Sequence, residues 1–198
     1  MNTQRADVTT TIVSLESPTA AALPVGTRPC QGVYYRPSGS SPTVAFIAAH
    51  YNADFREHYL AKRLAARGYG FLGWNTRYAG QEAYFLLEHA LIDIGVGVRW
   101  LHANGVETVV LLGNSGGGSL MGAYQSQALG VTMHATPGLT LPGPLGDLSP
   151  GDLYVSLNAH SGRPEVFTAW LDPSVTDETD PLSVDGSLDM YAPVNGPP

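Results

Sequence analysis

Residues 109 to 118 read Val109-Val110-Leu111-Leu112-Gly113-Asn114-Ser115-Gly116-Gly117-Gly118. The first four are apolar and β-prone, the run breaks at Gly113, and a helix-like segment follows from Ser119 to Ala128. Ser115 therefore stands between small residues on a tight strand-to-helix turn, the placement a serine nucleophile needs. A hydroxyl is a poor nucleophile unless its backbone lifts it within reach of a base and of oxyanion donors. Gly113 and Gly117 fit a turn so sharp that neighbouring backbone and helix leave no room for a side chain.

Other glycine-rich loops make different demands. A dinucleotide fingerprint needs glycine where Ser115 stands and an acid about 20 residues later. The stretch from Gly130 to Gly146 contains no carboxylate. A phosphate-binding loop needs Gly-Lys-Ser/Thr, and Lys62 is the only lysine in the chain. The remaining alternative is a glycine-rich turn whose serine merely caps the next helix.

The chain has 198 residues, the size of one domain with a substantial core. Apolar residues make up 43% and charged residues 14%, which suits a well-buried sheet. A net charge of −7 and no Lys/Arg cluster argue against nucleic acid. Six acids and no bases lie in residues 171–198, so this tail carries nearly all the net charge. Cys30 is alone, which excludes an intramolecular disulfide and suggests a reducing compartment; it reads as a buried strand residue. No apolar run approaches a membrane span and no signal-peptide core is visible, so the expected location is cytoplasmic.

Strand signals fall at Thr9–Leu15, Gly32–Tyr35, Thr43–Ala49, Gly70–Trp74, Thr108–Leu112 and Leu153–Leu157. Between them, Phe55, Tyr59, Leu60, Leu64 and Ala65 share one helical face ending at Gly68, and a long helix is expected from Glu82 to Ala103. This alternation predicts an α/β fold, a three-layer α/β/α arrangement around a mostly parallel sheet. Residues 130–152 are rich in Pro and Gly and read as a loop over the sheet, either a pocket wall or a connector. A last helix is expected at Pro164–Trp170. The core is thus expected over residues 1–170, with an acidic, Pro-rich tail over 171–198.

The turn at Ser115, its flanking strand and helices, and the His50-Tyr51-Asn52 turn after the third strand resemble the α/β-hydrolase superfamily over about residues 8–170. The resemblance implies a serine hydrolase, esterase-like, working through an acyl-enzyme on Ser115 and a small-molecule acyl substrate; no cofactor is expected, and no metal, since the acidic cluster at 177–180 lacks the spacing of a calcium loop. It implies Gly116 and Asn52 as backbone oxyanion donors, with Tyr51 where glycine is usual. His50 would be a structural residue of its turn. The family's acid and histidine follow later strands, and here only six of eight strands are visible. Downstream of Ser115 the histidines are His134, expected to be solvent-exposed, and His160, which ends the sixth strand and reads first as a polar residue ending that strand, with the base as its second reading. Asp172 is the neatest single acid but, standing before Pro173, reads first as a cap or turn residue, and Asp177-Glu178-Thr179-Asp180 reads as a solvated face. The alternatives are an acyltransferase, or a truncated, catalytically silent fold acting in ligand binding or assembly. A sheet stopping after its sixth strand would leave an open edge through which two copies could associate.

Overall fold

The structure is a computed structural model that describes residues 7–18, 28–134, 136–138, 145–170, 173–177, 179–180, 182–189 and 191–195. Two compact units divide at Ser161. The first, residues 1–161, contains a six-stranded sheet in the order β1-β2-β4-β3-β5-β6. Its strands are β1 Val8–Leu15, β2 Cys30–Pro37, β3 Val44–Ala49, β4 Gly70–Asn75, β5 Thr108–Asn114 and β6 Leu153–Leu157. β4, β3, β5 and β6 run parallel, while β2 is antiparallel to both β4 and β1. The sheet is thus mixed and mostly parallel, as the alternation of strand and helix signals predicts.

The central strands are apolar on both faces, so period-2 alternation feeds two cores. Ala45, Ile47, Leu72, Trp74, Val109 and Leu111 pack with Leu91, Ile94, Val98, Leu120 and Met121 of helices α2 (Leu87–Ala103) and α3 (Gly117–Leu129). On the opposite face Ala48, Phe71 and Leu112 pack with Phe55 and with Ala61 and Ala65 of helix α1 (Ala61–Ala65). Helices therefore cover both faces. A buried ion pair ties the segment after β4 to α2, where Arg77 Nε and Nη2 reach the Asp93 carboxylate at 3.0 and 2.7 Å, and Trp74 Nε1 of β4 donates to the Asp93 carbonyl.

Two helices differ from their periodicity. The segment from Phe55 to Gly68 forms only the five-residue α1. Side chains capture the backbone donors an earlier start would use: Asp54 Oδ1 accepts from Arg56 N–H at 2.9 Å, Asn75 Oδ1 from Phe55 N–H at 3.1 Å and His58 Nδ1 from Leu60 N–H at 3.3 Å. Such local bonds compete with helix. The long helix begins at Leu87 rather than Glu82, because Leu86 is extended (φ −118°, ψ 122°) after a single 3-10 turn at Glu82–Tyr84.

Of the Pro/Gly-rich stretch, residues 135 and 139–144 lie outside the described residues. Its later part is pinned to the core: Leu145 and Leu148 are buried, Tyr124 Oη donates to Ser149 O at 2.6 Å, and the Gln125 amide exchanges two bonds with Gly151. β6 is one of the sheet's two edge strands, with Leu153, Tyr154 and Val155 exposed. The second unit, residues 162–198, contains helix α4 (Arg163–Trp170), a Val175–Val184 bridge and side-chain-capped turns at Asp177, Asp180, Asp185 and Asp189. Among the described residues no helix is long and apolar enough to cross a membrane.

Candidate active site

β5 ends at Asn114 and α3 begins at Gly117, which leaves two residues to turn the chain. Ser115 does so with φ +54°, a left-handed conformation that costs a non-glycine residue about 1–2 kcal/mol. Three backbone bonds hold it there. Ser115 N–H donates to Leu157 O at 3.3 Å, while Gly118 N–H and His160 N–H donate to Ser115 O at 2.9 and 3.4 Å. The packing requires glycine on both sides: a Cβ on Gly113 would lie 2.8 Å from Gly118 Cα, and one on Gly117 would collide with Ala49 O. Ser115 is exposed, and its hydroxyl makes no hydrogen bond among the described residues. The Gly116 N–H likewise donates to no group among them, as expected in the first turn of a helix.

Opposite this turn lies the one after β3. Asn52 N–H donates to His50 Nδ1 at 3.1 Å, so the neutral imidazole carries its hydrogen on Nε2. That nitrogen cannot accept the Ser115 proton, and His50 acts as a brace of its own turn. The same bond occupies the Asn52 N–H, one of the two expected oxyanion donors. His50 stacks on Tyr51 at 4.6 Å and 28°, and both rings lie against Gly116, where a Cβ would come within 2.8 Å of His50 Nε2.

The other imidazoles sort by their partners. His89, in the first turn of α2, is buried against Tyr78 Oη, His102 bonds Val106 O at the far end of the same helix, and His134 is exposed. His160 is tied to Ser115 through its backbone N–H. It follows β6 through Asn158 at φ +44° and Ala159, which packs on Gly118, and its Nδ1 is buried without a partner among the described residues. A buried, unbonded ring nitrogen is costly and calls for a proton-bearing or charged neighbour. Asp172 and Glu178 lie outside the described residues. Asp152 is committed elsewhere, accepting Val109 N–H at the opposite end of β5.

One contributor carries no motif. His58 is buried, its Nδ1 accepts from Leu60 N–H, and its Nε2 therefore donates to Asn114 Oδ1 at 3.0 Å. Asn114 Nδ2 in turn donates to Leu157 O at 2.8 Å, so a relay from the β3–β4 connection to β6 passes through the residue before Ser115. Burial pushes the His58 pKa below its ordinary 6.5, against the opposing pull of Asn114. Only the adjacency of Asn114 to Ser115 hinted at this in the sequence.

A cavity of about 350 Å³ adjoins the His50–Asn52 turn, walled by Arg28, Gln31, Tyr51, Asp54 and Asn75. Ser115 is not part of its lining. Bonds from Arg56 and then Asn75, against the effect of burial, bring the Asp54 carboxyl down to about 2. Among the described residues no three His, Cys, Asp or Glu side chains gather as a metal site would require.

No protein-family model matches the chain, and no curated protein matches its sequence. Solved structures do match its fold. Brefeldin A esterase, a bacterial homologue of human hormone-sensitive lipase, aligns at 20% identity and TM-score 0.50 over 65% of this chain and 37% of its own. Bacterial heroin esterase aligns at 15% identity and TM-score 0.46 over 65% and 41%, respectively. A cold-adapted esterase from an Arctic intertidal metagenomic library aligns at 19% and TM-score 0.44 over 62% and 54%. The chain thus spans between about a third and about half of these proteins, and identity this low speaks to fold alone. With its six mostly parallel strands in the order described and helices on both faces, the chain carries the α/β-hydrolase fold in incomplete form.

Proposed function

We propose that this chain bears the nucleophile of a serine hydrolase, esterase-like, that works through an acyl-enzyme on Ser115. The observation that carries this reading is the strained, exposed Ser115 at φ +54°, beside a Gly116 N–H with no acceptor among the described residues. Strain of this kind persists where the surrounding structure over-determines it, and clusters at functional sites.

In the first step Ser115 Oγ bonds to the acyl carbon as its proton passes to a base, and the carbonyl electron pair moves onto oxygen. Gly116 N–H, at the N-terminus of α3, is placed to hold that oxyanion. Asn52 N–H can serve as the second donor only by releasing His50 Nδ1. Collapse of the adduct expels the alkoxide, which takes the proton back from the base. Water then attacks the acyl-enzyme with the same base, releasing the acid and restoring Ser115. His160 is the base this reading assigns, and its buried Nδ1 is where an orienting carboxylate would bind. An alcohol or thiol in place of water would make the same intermediate an acyltransferase.

A fluorophosphonate probe tests the nucleophile directly. Labelling that Ser115→Ala abolishes supports the reading, and folded protein that never labels sinks it. Loss of about a hundredfold or more in labelling rate in His160→Ala supports the base. The second reading, a catalytically silent fold that binds a ligand or assembles, is favoured by one observation: no imidazole hydrogen-bonds the Ser115 hydroxyl among the described residues. Ester turnover requiring Ser115 excludes it.

A further inference from the structure

Gly116 has no side chain, and Tyr51 fills the space one would take. A Cβ built on Gly116 would lie 2.7 Å from Tyr51 Cζ and nearer still to Cε1, so the ring rests on the residue directly after Ser115. The ring is anchored. It stacks on His50, meets Phe85 edge-on at 6.3 Å and 66°, and packs against the larger core cluster; Phe85 in turn packs against Tyr78 at 5.5 Å. Tyr51 also lines the 350 Å³ cavity that Ser115 does not reach. One ring therefore borders both the Ser115–Gly116 turn and the cavity beside it.

We propose that Tyr51 determines substrate size by closing the way from Ser115 into that cavity, which limits the site to esters of short acyl groups. This rests on the reading of Ser115 as the nucleophile. A carbonyl oxygen drawn to the Gly116 N–H brings the acyl carbon beside Gly116, and the chain on that carbon meets the ring. Removing the ring joins the cavity to the site and gives a longer chain somewhere to lie. The effect is steric, so the hydroxyl is dispensable and the ring is not.

The test compares phosphonylation rates of Ser115 by an ethyl- and an octyl-substituted fluorophosphonate, identical in their fluoride leaving group. The wild-type chain should react about tenfold or more faster with the ethyl probe, the size of effect a few methylenes produce in a closed pocket. Tyr51→Gly should accelerate the octyl reaction until the two rates agree within about threefold, while Tyr51→Phe keeps the wild-type ratio. Tyr51→Leu, which retains apolar packing, carries the test if the glycine variant does not fold, and should shift the ratio the same way. A wild type that does not discriminate, or a labelled Tyr51→Gly or Tyr51→Leu with an unchanged ratio, overturns the role of Tyr51 and leaves the nucleophile intact. Failure of both probes to label folded wild-type protein overturns the nucleophile itself.

Discussion

His58 Nε2 donates to Asn114 Oδ1 across 3.0 Å, and through that bond a buried ring of the β3–β4 connection fixes the residue before Ser115. The direction is set because His58 Nδ1 already accepts from Leu60 N–H. Replacing Asn114 by Ala leaves a buried imidazole N–H unpaired and removes one of two donors to Leu157 O. The expected cost is about 1–3 kcal/mol in urea unfolding, together with slower labelling of Ser115, because the strained turn loses a support. A change below about 0.5 kcal/mol would show that the relay contributes nothing measurable.

The same ring makes stability depend on pH. Burial lowers the pKa of His58, and burial followed by the Arg77 charge lowers that of His89, both from an ordinary 6.5. Below about 6.5 the unfolded chain takes up protons at these sites while the folded chain does not, so stability is full above that pH and falls below it. Asp54, held near 2 by Arg56, has its carboxylate favoured by folding and loses its contribution only between about 3.8 and 2. The urea midpoint should therefore drop from about pH 7.5 to about pH 5.5, and His58→Gln should flatten that slope. A midpoint unchanged over this range in the wild type would refute the burial of both rings.

Glycines of α3 divide by what surrounds them. A Cβ on Gly117 meets Ala49 O and one on Gly118 meets Ala159 Cβ, whereas one on Gly122 finds only Tyr154 Oη at 3.8 Å. Gly117→Ala and Gly118→Ala should each cost about 1–3 kcal/mol by forcing the backbone apart. Gly122→Ala should instead stabilise by about 0.5–1 kcal/mol, since alanine is the better helix former and fits. Thermal unfolding of the three variants tests this ordering, and a destabilised Gly122→Ala would contradict it.

Much of this architecture is legible in local pattern. The apolar runs at Val44–Ala49, Gly70–Asn75 and Thr108–Asn114 are buried on both faces, and such runs between helical segments dictate a parallel sheet with two helical layers. Ser115 is legible because a serine with glycines on both sides, set between a strand and a helix, fits few turns but this one. What local pattern misses is set by distant partners. Phe55 to Leu60 has the spacing of a helix, but Asp54, His58 and Asn75 take its backbone donors, and Asn75 arrives from β4. Asn52 is expected as an oxyanion donor from its position in the chain, yet its N–H bonds His50 Nδ1, a contact that spacing alone does not show. The His58–Asn114 pair spans 56 residues and carries no motif at either end.

The strain at Ser115 can be measured apart from its chemistry. With φ at +54°, any residue with a Cβ pays the left-handed penalty there and glycine does not. Because the Ser115 hydroxyl makes no hydrogen bond among the described residues, Ser115→Ala should match the wild type within about 0.5 kcal/mol. Ser115→Gly should exceed Ser115→Ala by about 1 kcal/mol, the relief of strain less the extra entropy glycine gains when unfolded. Both should lose fluorophosphonate labelling. A glycine variant no more stable than the alanine variant would mean that the turn is relaxed, and that Ser115 is held out by packing alone. A more stable but unreactive glycine variant would show a backbone conformation retained at a cost in stability, as expected where a hydroxyl must be held ready to react.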